Sequence, residues 1–279
     1  MLRVVPGGVY MDGTLGLGGH TREILKKSAP AGRVIAFEWD EQAIKESRKN
    51  IGEYENRLTV IRRNFAEIEV GLEEAGCLQV NGILIDVGLS SLQLDIGERG
   101  FSFQKDEPLD MRMDQRREKT AEMILATASE KELADIFYYY GEETQSRRIA
   151  ARVIAARKQD GIKTSGQLAE LVSRAIPRKY HPPRIHVATR VFQALRIAVN
   201  EELSNLAVIL DKAADHLEAG GRFCIISFHS LEDRIVKKKL AASKRFAVIT
   251  KKPIVPSDHE INANRRSRSA RLRVAERLA

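Results

Sequence analysis

Val9-Tyr-Met-Asp-Gly-Thr-Leu-Gly-Leu-Gly-Gly-His20 joins a short apolar strand to an acid and then to a glycine-dense turn. A helix is expected to begin near Thr21. Glycines at 16, 18 and 19 let the backbone turn sharply and let a ligand lie against bare peptide groups. A turn of this kind at the carboxyl end of a strand is how an α/β sheet holds a nucleoside cofactor. A dinucleotide site requires G-x-G-x-x-G. Here Gly16 and Gly18 are followed, at the third glycine position, by Thr21.

Support recurs along the chain. Arg33-Val-Ile-Ala-Phe-Glu38 reads as a second buried strand, with a helical run from Asp40 to Asn50 behind it. Glu38 lies 22 residues beyond Gly16, close to the offset of roughly 20 at which an acid reaches a ribose hydroxyl. Leu58-Thr-Val-Ile61 is a third strand, and Asn64-Phe65 follows where an adenine edge and face would lie. Gly82-Ile-Leu-Ile-Asp86 is a fourth, continuous in aliphatics as a strand covered on both faces should be. Strand-helix alternation implies a parallel sheet with right-handed crossovers. An acid or aromatic after each of four strands then defines one ligand-binding edge. Asp12, four residues before Gly16, is placed as an S-adenosylmethionine (SAM) site would place an acid to meet the methionine end.

At 279 residues and 43% hydrophobic content the chain can build one large domain and a smaller one. Cys77 and Cys224 lie far apart, with neither disulfide nor metal-ligand spacing, so a reducing compartment is the simpler reading. No signal peptide and no long apolar run is visible, and a cytoplasmic protein without bound metal or membrane contact is expected. The net charge of +8 is unevenly spread: residues 234–279 hold 14 Lys and Arg against three acids, while the remaining 233 residues hold 32 against 35. The excess thus reads as concentrated at the C-terminal end, as a phosphate-backbone footprint carried by Lys237, Lys238, Arg265, Arg266, Arg268 and Arg271.

The middle of the chain breaks the α/β rhythm. Val87 to Phe103 is a long loop rich in glycine and serine, of a length that is usually functional or disordered. From about Thr120 to Asn200 the pattern is helical. Ser129 with Glu132 forms a capping box, Thr164 or Ser165 caps a later helix, and Val187 to Leu217 reads as one long or broken helix. Tyr138-Tyr-Tyr140, at helical spacing, is expected in the core or at a domain hinge, with base stacking as the other reading. Arg147, Arg148 and Arg152 read as a solvated helix face. Gly220 to Phe228 is a further buried strand. The expected organisation is one α/β sheet built from 1–108 and 201–279 with a helical insertion over 109–200.

Seven strings carry a resemblance across essentially the whole chain. They are Asp12 to His20, Asp86 to Asp95, Glu98 to Phe103, Pro108 to Asp114, Ala188 to Asn200, Ile226 to Arg234 and Ser267 to Arg277. Together they resemble the bacterial 16S ribosomal RNA (cytosine-N4) methyltransferases, the RsmH or MraW family. The resemblance implies a Rossmann-like SAM-dependent methyltransferase sheet with an inserted all-helical domain. It also implies SAM as cofactor, methylation of the N4 amine of a decoding-centre cytidine, and 16S rRNA of the small ribosomal subunit as partner; a homodimer is left open. By the same resemblance Gly18, Gly19 and His20 form the cofactor turn, Glu38 stands where the family usually has Asp, Phe65 is the adenine-side aromatic, and Asp86 and Gln93 follow the fourth strand. Asp12 and Gly16 join them as weaker cofactor contacts. Leu92 and Val187 replace usual prolines, and the chain carries little of the family's segment before the first strand.

Methyl transfer from a sulfonium is an in-line displacement governed by positioning. The cytosine N4 lone pair is delocalised, so the site must hold an acceptor against its N–H and present the base unstacked. The Asn- or Asp-Pro-Pro-aromatic motif of other amine methyltransferases is absent from the sequence. Asp86 and the loop after it are expected in its place, with Asp110 and His229 as further candidate acceptors. Asp110 is equally suited to pairing with Arg112, and His229 to capping the helix that follows it. The competing readings are a nucleotide-cofactor oxidoreductase and an inactive RNA-binding or ribosome-assembly protein.

Overall fold

The computed structural model describes residues 1–89, 93, 98–183 and 185–279. The chain forms two compact units, Met1–Ser90 with Leu203–Ala279, and Ser91–Glu202.

The first unit is built on seven strands: β1 (Val9–Asp12), β2 (Arg33–Phe37), β3 (Leu58–Ile61), β4 (Val80–Asp86), β5 (Leu217–Ser227), β6 (Phe246–Val248) and β7 (Arg271–Arg277). They pair in the order β3-β2-β1-β4-β5-β7-β6. Strands β1 to β5 are parallel, and β7 runs antiparallel between β5 and β6. The helices α1 (Gly19–Lys27), α2 (Glu41–Ile51) and α3 (Ile68–Glu74) connect the first four strands.

Alternate residues of each strand feed opposite faces. On one face Met11, Ile35, Phe37, Ile83, Ile85 and Phe223 pack with Ile68 and Leu72 of α3. On the other, Tyr10, Val34, Ala36, Leu84 and Cys224 pack with Ile24 and Leu25 of α1 and Ile51 of α2. Each such buried aliphatic or aromatic side chain contributes about 1.5–3 kcal/mol relative to exposure. Chain order reverses between β1 and β4, so the carboxyl ends of β3, β2, β1 and β4 lie side by side, with the crevice of an open α/β sheet above them.

The C-terminal end departs from the expectation of a basic tail. Val274 and Ala275 are buried, and Arg273 is buried with its guanidinium on Asp233, at 2.6 Å from Nε to Oδ1. Residues 271–277 are therefore an interior strand of the sheet, and the charge that marks them in the sequence is partly spent on an internal ion pair.

The second unit is helical: α4 (Ala121–Thr127), α5 (Glu130–Gly141), α6 (Ser146–Arg157), α7 (Ser165–Ala175) and α8 (Thr189–Asn200). Ser129 and Glu132 form the expected capping box, and Thr164 pairs in the same way with Gln167. Gly141 lets the end of α5 approach α8, since a Cβ there would lie 2.6 Å from the Arg190 carbonyl oxygen. The helix expected from Val187 to Leu217 is broken at Glu201, which has φ 54°, before α9 (Glu202–Lys212) begins.

The stretch before residue 109 belongs with this unit. Glu107 and Ser165 exchange backbone and side-chain hydrogen bonds, and Leu109 N–H donates to the Lys163 carbonyl. Asn200, buried at the end of α8, accepts from Met113 N–H and donates to the Met111 carbonyl, each at 2.8 Å. One side chain thereby ties Met111 and Met113 of the loop to the end of α8. Among the described residues no helix is long and apolar enough to cross a membrane. In the first unit, α10 (Ser230–Ala242) and α11 (Asp258–Ala263) complete the helices.

Candidate cofactor site

β1 delivers Asp12 to the sheet edge fully buried, where it accepts from Thr21 Oγ1 at 2.7 Å and from Thr14 N–H at 3.1 Å. Burial raises its pKa, and the Thr21 hydrogen bond works in the opposite direction. Thr21, at the third glycine position of a dinucleotide site, is thus an internal strut between helix and strand. The turn after Asp12 needs its glycines. Gly16 and Gly18 have φ 52° and 84°, and a Cβ on Gly18 would meet Ile51 Cδ1 at 2.1 Å. A Cβ on Gly19 would meet nothing within 4 Å, so open space fronts the start of α1. Gly18 supplies no side-chain cap, which leaves the first helical N–H groups available to an acceptor.

Glu38 follows β2 and closes the cradle from the other side. Its Oε2 accepts from Gly16 N–H at 3.0 Å, and Oε1 accepts from Trp39 and Asp40 N–H at 2.9 and 3.0 Å. Burial pushes its pKa to about 7, against the lowering effect of these three N–H groups. The Glu38 side chain spans from β2 to the glycine turn. Beyond β3, Asn64 caps its own short turn by accepting from Ala66 N–H, and Phe65 packs into the core beside Gly13. Asn64 is thus engaged locally. Trp39, half-buried next to Glu38, is a neighbour of the site that the sequence motifs do not single out; its place directly after a strand-end acid is the signal that marks it.

Asp86 ends β4. Its N–H donates to Thr14 Oγ1 at 2.7 Å, its Oδ2 lies 3.5 Å from His20 Nε2, and its Oδ1 is buried without a hydrogen-bond partner. The contact with Asp86 raises the His20 pKa, with burial opposing it. Asp12, Gly16, Gly18, Gly19, His20, Glu38, Phe65 and Asp86 are therefore brought to one sheet edge within the first unit. An orphaned buried carboxylate oxygen, uncapped helix N–H groups and an acid beside a bare glycine turn fit a nucleoside carrying an amino-acid tail.

The other candidates have different surroundings. Gln93 is buried and belongs to the helical unit. Ser90, Ser91, Leu92 and Asp95 of the expected loop lie outside the described residues. Asp110, also in the helical unit, is gripped by Arg112, whose Nε and Nη2 each donate at 2.7 Å. Burial works to raise the Asp110 pKa, but the Arg112 hydrogen bonds outweigh it and hold the carboxyl below its usual range. His229 is the N-cap of α10, with Glu232 Oε2 accepting from the N–H groups of Phe228 and His229. Lys237 and Lys238 are exposed on α10, and Arg265, Arg266 and Arg268 are exposed on a short 3-10 turn. Arg271 is exposed and reaches Asp233 at 3.2 Å. Tyr138 and Tyr139, expected in the core or a hinge, are 53% and 62% exposed.

The MraW methylase family matches residues 1–278 of the chain. A protein of Desulfotalea psychrophila named Ribosomal RNA small subunit methyltransferase H is 62% identical over 273 residues, covering 98% of this chain and 92% of the relative. A protein of Cyanothece sp. with the same name is 52% identical over 277 residues, covering 99% and 90%. Another of that name, from Clostridioides difficile, is 43% identical over 295 residues, covering 99% and 95%.

Proposed function

Because the chain belongs to the MraW methylase family and its cofactor is SAM, we propose that it methylates 16S ribosomal RNA of the small subunit, on the exocyclic N4 amine of a decoding-centre cytidine. The single observation that carries this reading onto the chain's own residues is the cluster at the ends of β1, β2 and β4, where Asp86 Oδ1 is left without a partner beside an open glycine turn.

When bound, SAM supplies a methyl group on a sulfonium, an electrophile that needs no Lewis acid. The chain's own groups position and exclude water. The N–H groups at the start of α1 would hold an anionic carboxylate, the Glu38 carboxylate would accept from the ribose hydroxyls, and Phe65 would back the adenine side. Asp86 Oδ1 would accept from a donor brought into the cradle. The proton lost from the amine leaves after transfer, so no side chain needs a base's pKa. Asp110, tied to Arg112, and His229, tied to Glu232, serve the loop and the helix that carry them.

The test incubates assembled small subunits and naked rRNA with methyl-labelled SAM, followed by nucleoside analysis. Label in N4-methylated cytidine is the expected result. Label in another nucleoside would overturn the assignment of the amine, and no label in either RNA would overturn the activity.

A further inference from the structure

The charge average over the first 233 residues conceals a second basic segment. Residues 147–200 hold twelve Lys and Arg against two acids, Asp160 and Glu170, and all of it lies in the helical unit. Helices α5 and α6 form a hairpin through the four-residue turn 142–145, which brings the last turn of one beside the first turn of the other. Tyr138 and Tyr139 sit in that last turn, exposed, with ring centroids 5.2 Å apart and edge to face. Arg147 and Arg148 sit in that first turn, exposed, and Arg152 follows one turn later. Among the described residues none of the three arginines makes an ion pair. The first turn of α6 contains no acid, so two cations stand at the positive end of a helix dipole, which works against stability. Two large aromatic rings in water and unpaired cations at a helix start are both unfavourable for an isolated fold.

We propose that this end of the α5–α6 hairpin binds single-stranded RNA of the substrate, with Tyr138 and Tyr139 stacking on bases and Arg147, Arg148 and Arg152 meeting the backbone phosphates. This rests on the reading that the chain acts on RNA. Exposed aromatics beside unpaired cations are the two components of sequence-tolerant single-strand binding, one for the π-faces of bases and one for the charge that tracks them. The C-terminal cationic residues, in the other unit, form a separate footprint.

The test measures binding of a fluorescein-labelled single-stranded RNA of about a dozen nucleotides, a length within the span such grooves cover, across a salt series. Four proteins are compared: the full chain, Tyr138→Ala/Tyr139→Ala, Tyr138→Phe/Tyr139→Phe, and Arg147→Gln/Arg148→Gln. The alanine pair is expected to lose about tenfold or more in affinity with little change of salt slope, and the phenylalanine pair to retain it. The glutamine pair is expected to lose affinity and to flatten the slope by about 1.4, roughly 0.7 per phosphate contact on a single strand. SAM affinity and kcat at saturating rRNA remain at wild-type values while KM for rRNA rises. Affinities within about twofold of wild type in both the alanine and glutamine proteins would overturn the proposal. So would a loss of self-association in those proteins, which would make the face a contact between copies. Failure of the unaltered chain to bind RNA at all would instead remove the RNA reading itself.

Discussion

Asp86 faces His20 with one carboxylate oxygen, at 3.5 Å from Nε2, and leaves the other buried without a partner. A buried carboxylate oxygen with no donor is costly, and its backbone N–H is meanwhile fixed by Thr14 of the opposite turn. The backbone at the end of β4 is thus tied to the turn after β1, and the carboxylate faces α1 through one oxygen only.

Replacing Asp86 by Asn keeps the shape and removes the charge. Calorimetry is expected to show SAM affinity reduced by at least about tenfold, the scale of one lost charge-assisted hydrogen bond. Thermal stability is expected to be little changed, because Asn keeps the side chain's shape and about a third of that side chain is exposed. Wild-type affinity together with wild-type methyl transfer would take Asp86 out of the site.

Glu38 gives the site a pH dependence. Its carboxyl titrates near 7 in the folded protein, above its ordinary value of 4.5, because burial disfavours the charge. The proton it retains stabilises the fold fully below the unfolded value, and that contribution is lost as pH rises through about 7. Cofactor binding runs the other way, since the ribose hydroxyls need the ionised acceptor. SAM affinity is expected to fall by about tenfold per pH unit below 7 and to level off above it. The sole tryptophan, Trp39, is the adjacent residue, so its fluorescence can follow the titration. In Glu38→Gln the slope should vanish and affinity should be weak throughout; a slope unchanged by that substitution would assign the dependence to another group.

Gly18 is fixed by its backbone. With φ at 84° and Ile51 Cδ1 only 2.1 Å from where a Cβ would stand, Gly18→Ala meets both left-handed strain and overpacking. The first costs about 1–2 kcal/mol and the second about 1–3 kcal/mol. Chemical denaturation should show a loss of at least about 2 kcal/mol, the sum of the two lower bounds. Gly19→Ala, facing open space, should leave stability nearly intact while obstructing SAM, and equal stability loss at both positions would contradict the division of roles.

Much of the sheet is legible in the sequence because buried parallel strands are continuous in aliphatics: Val34 to Phe37 and Ile83 to Ile85 have polar residues only at their ends. The site is legible because its acids stand at those ends. The capping box at Ser129 is legible because it is local, and so is the start of the later helix at Thr164 or Ser165. The antiparallel strand Arg271–Arg277 is not, since it interleaves arginines with apolar residues and reads as part of a basic, phosphate-facing end. Its partner acid, Asp233, lies 40 residues away from Arg273 in sequence. The position of the break at Glu201, in a stretch that reads as one long or broken helix, is hidden for a related reason: apolar periodicity continues across it, and only the left-handed backbone of one residue ends the helix.

The Asp233–Arg273 pair is expected to be structural. The hydrogen bond to Arg273 holds the Asp233 pKa below its usual range, with burial opposing it. The pair therefore contributes stability above the unfolded carboxyl's pKa, and that contribution is lost as pH falls through the lowered value. Arg273→Met leaves Asp233 buried without its main partner and should cost about 3–5 kcal/mol. An unfolding midpoint within error of wild type would show the pair to be dispensable.

The C-terminal footprint must be tested without disturbing that strand. Removing residues from 264 onward deletes β7, which pairs with both β5 and β6, so a truncated chain would lose RNA binding through unfolding and would say nothing of the arginines. Arg265, Arg266 and Arg268 lie on the 3-10 turn outside the sheet and are exposed. Changing the three to Gln should leave thermal stability within about 0.5 kcal/mol of wild type, as for surface positions generally. If all three meet phosphates, RNA binding should weaken and its salt slope should flatten by about 2, roughly 0.7 for each single-strand contact. A stable triple variant with an unaltered slope would place the footprint elsewhere, with Lys237 and Lys238 on α10 as the next positions to change.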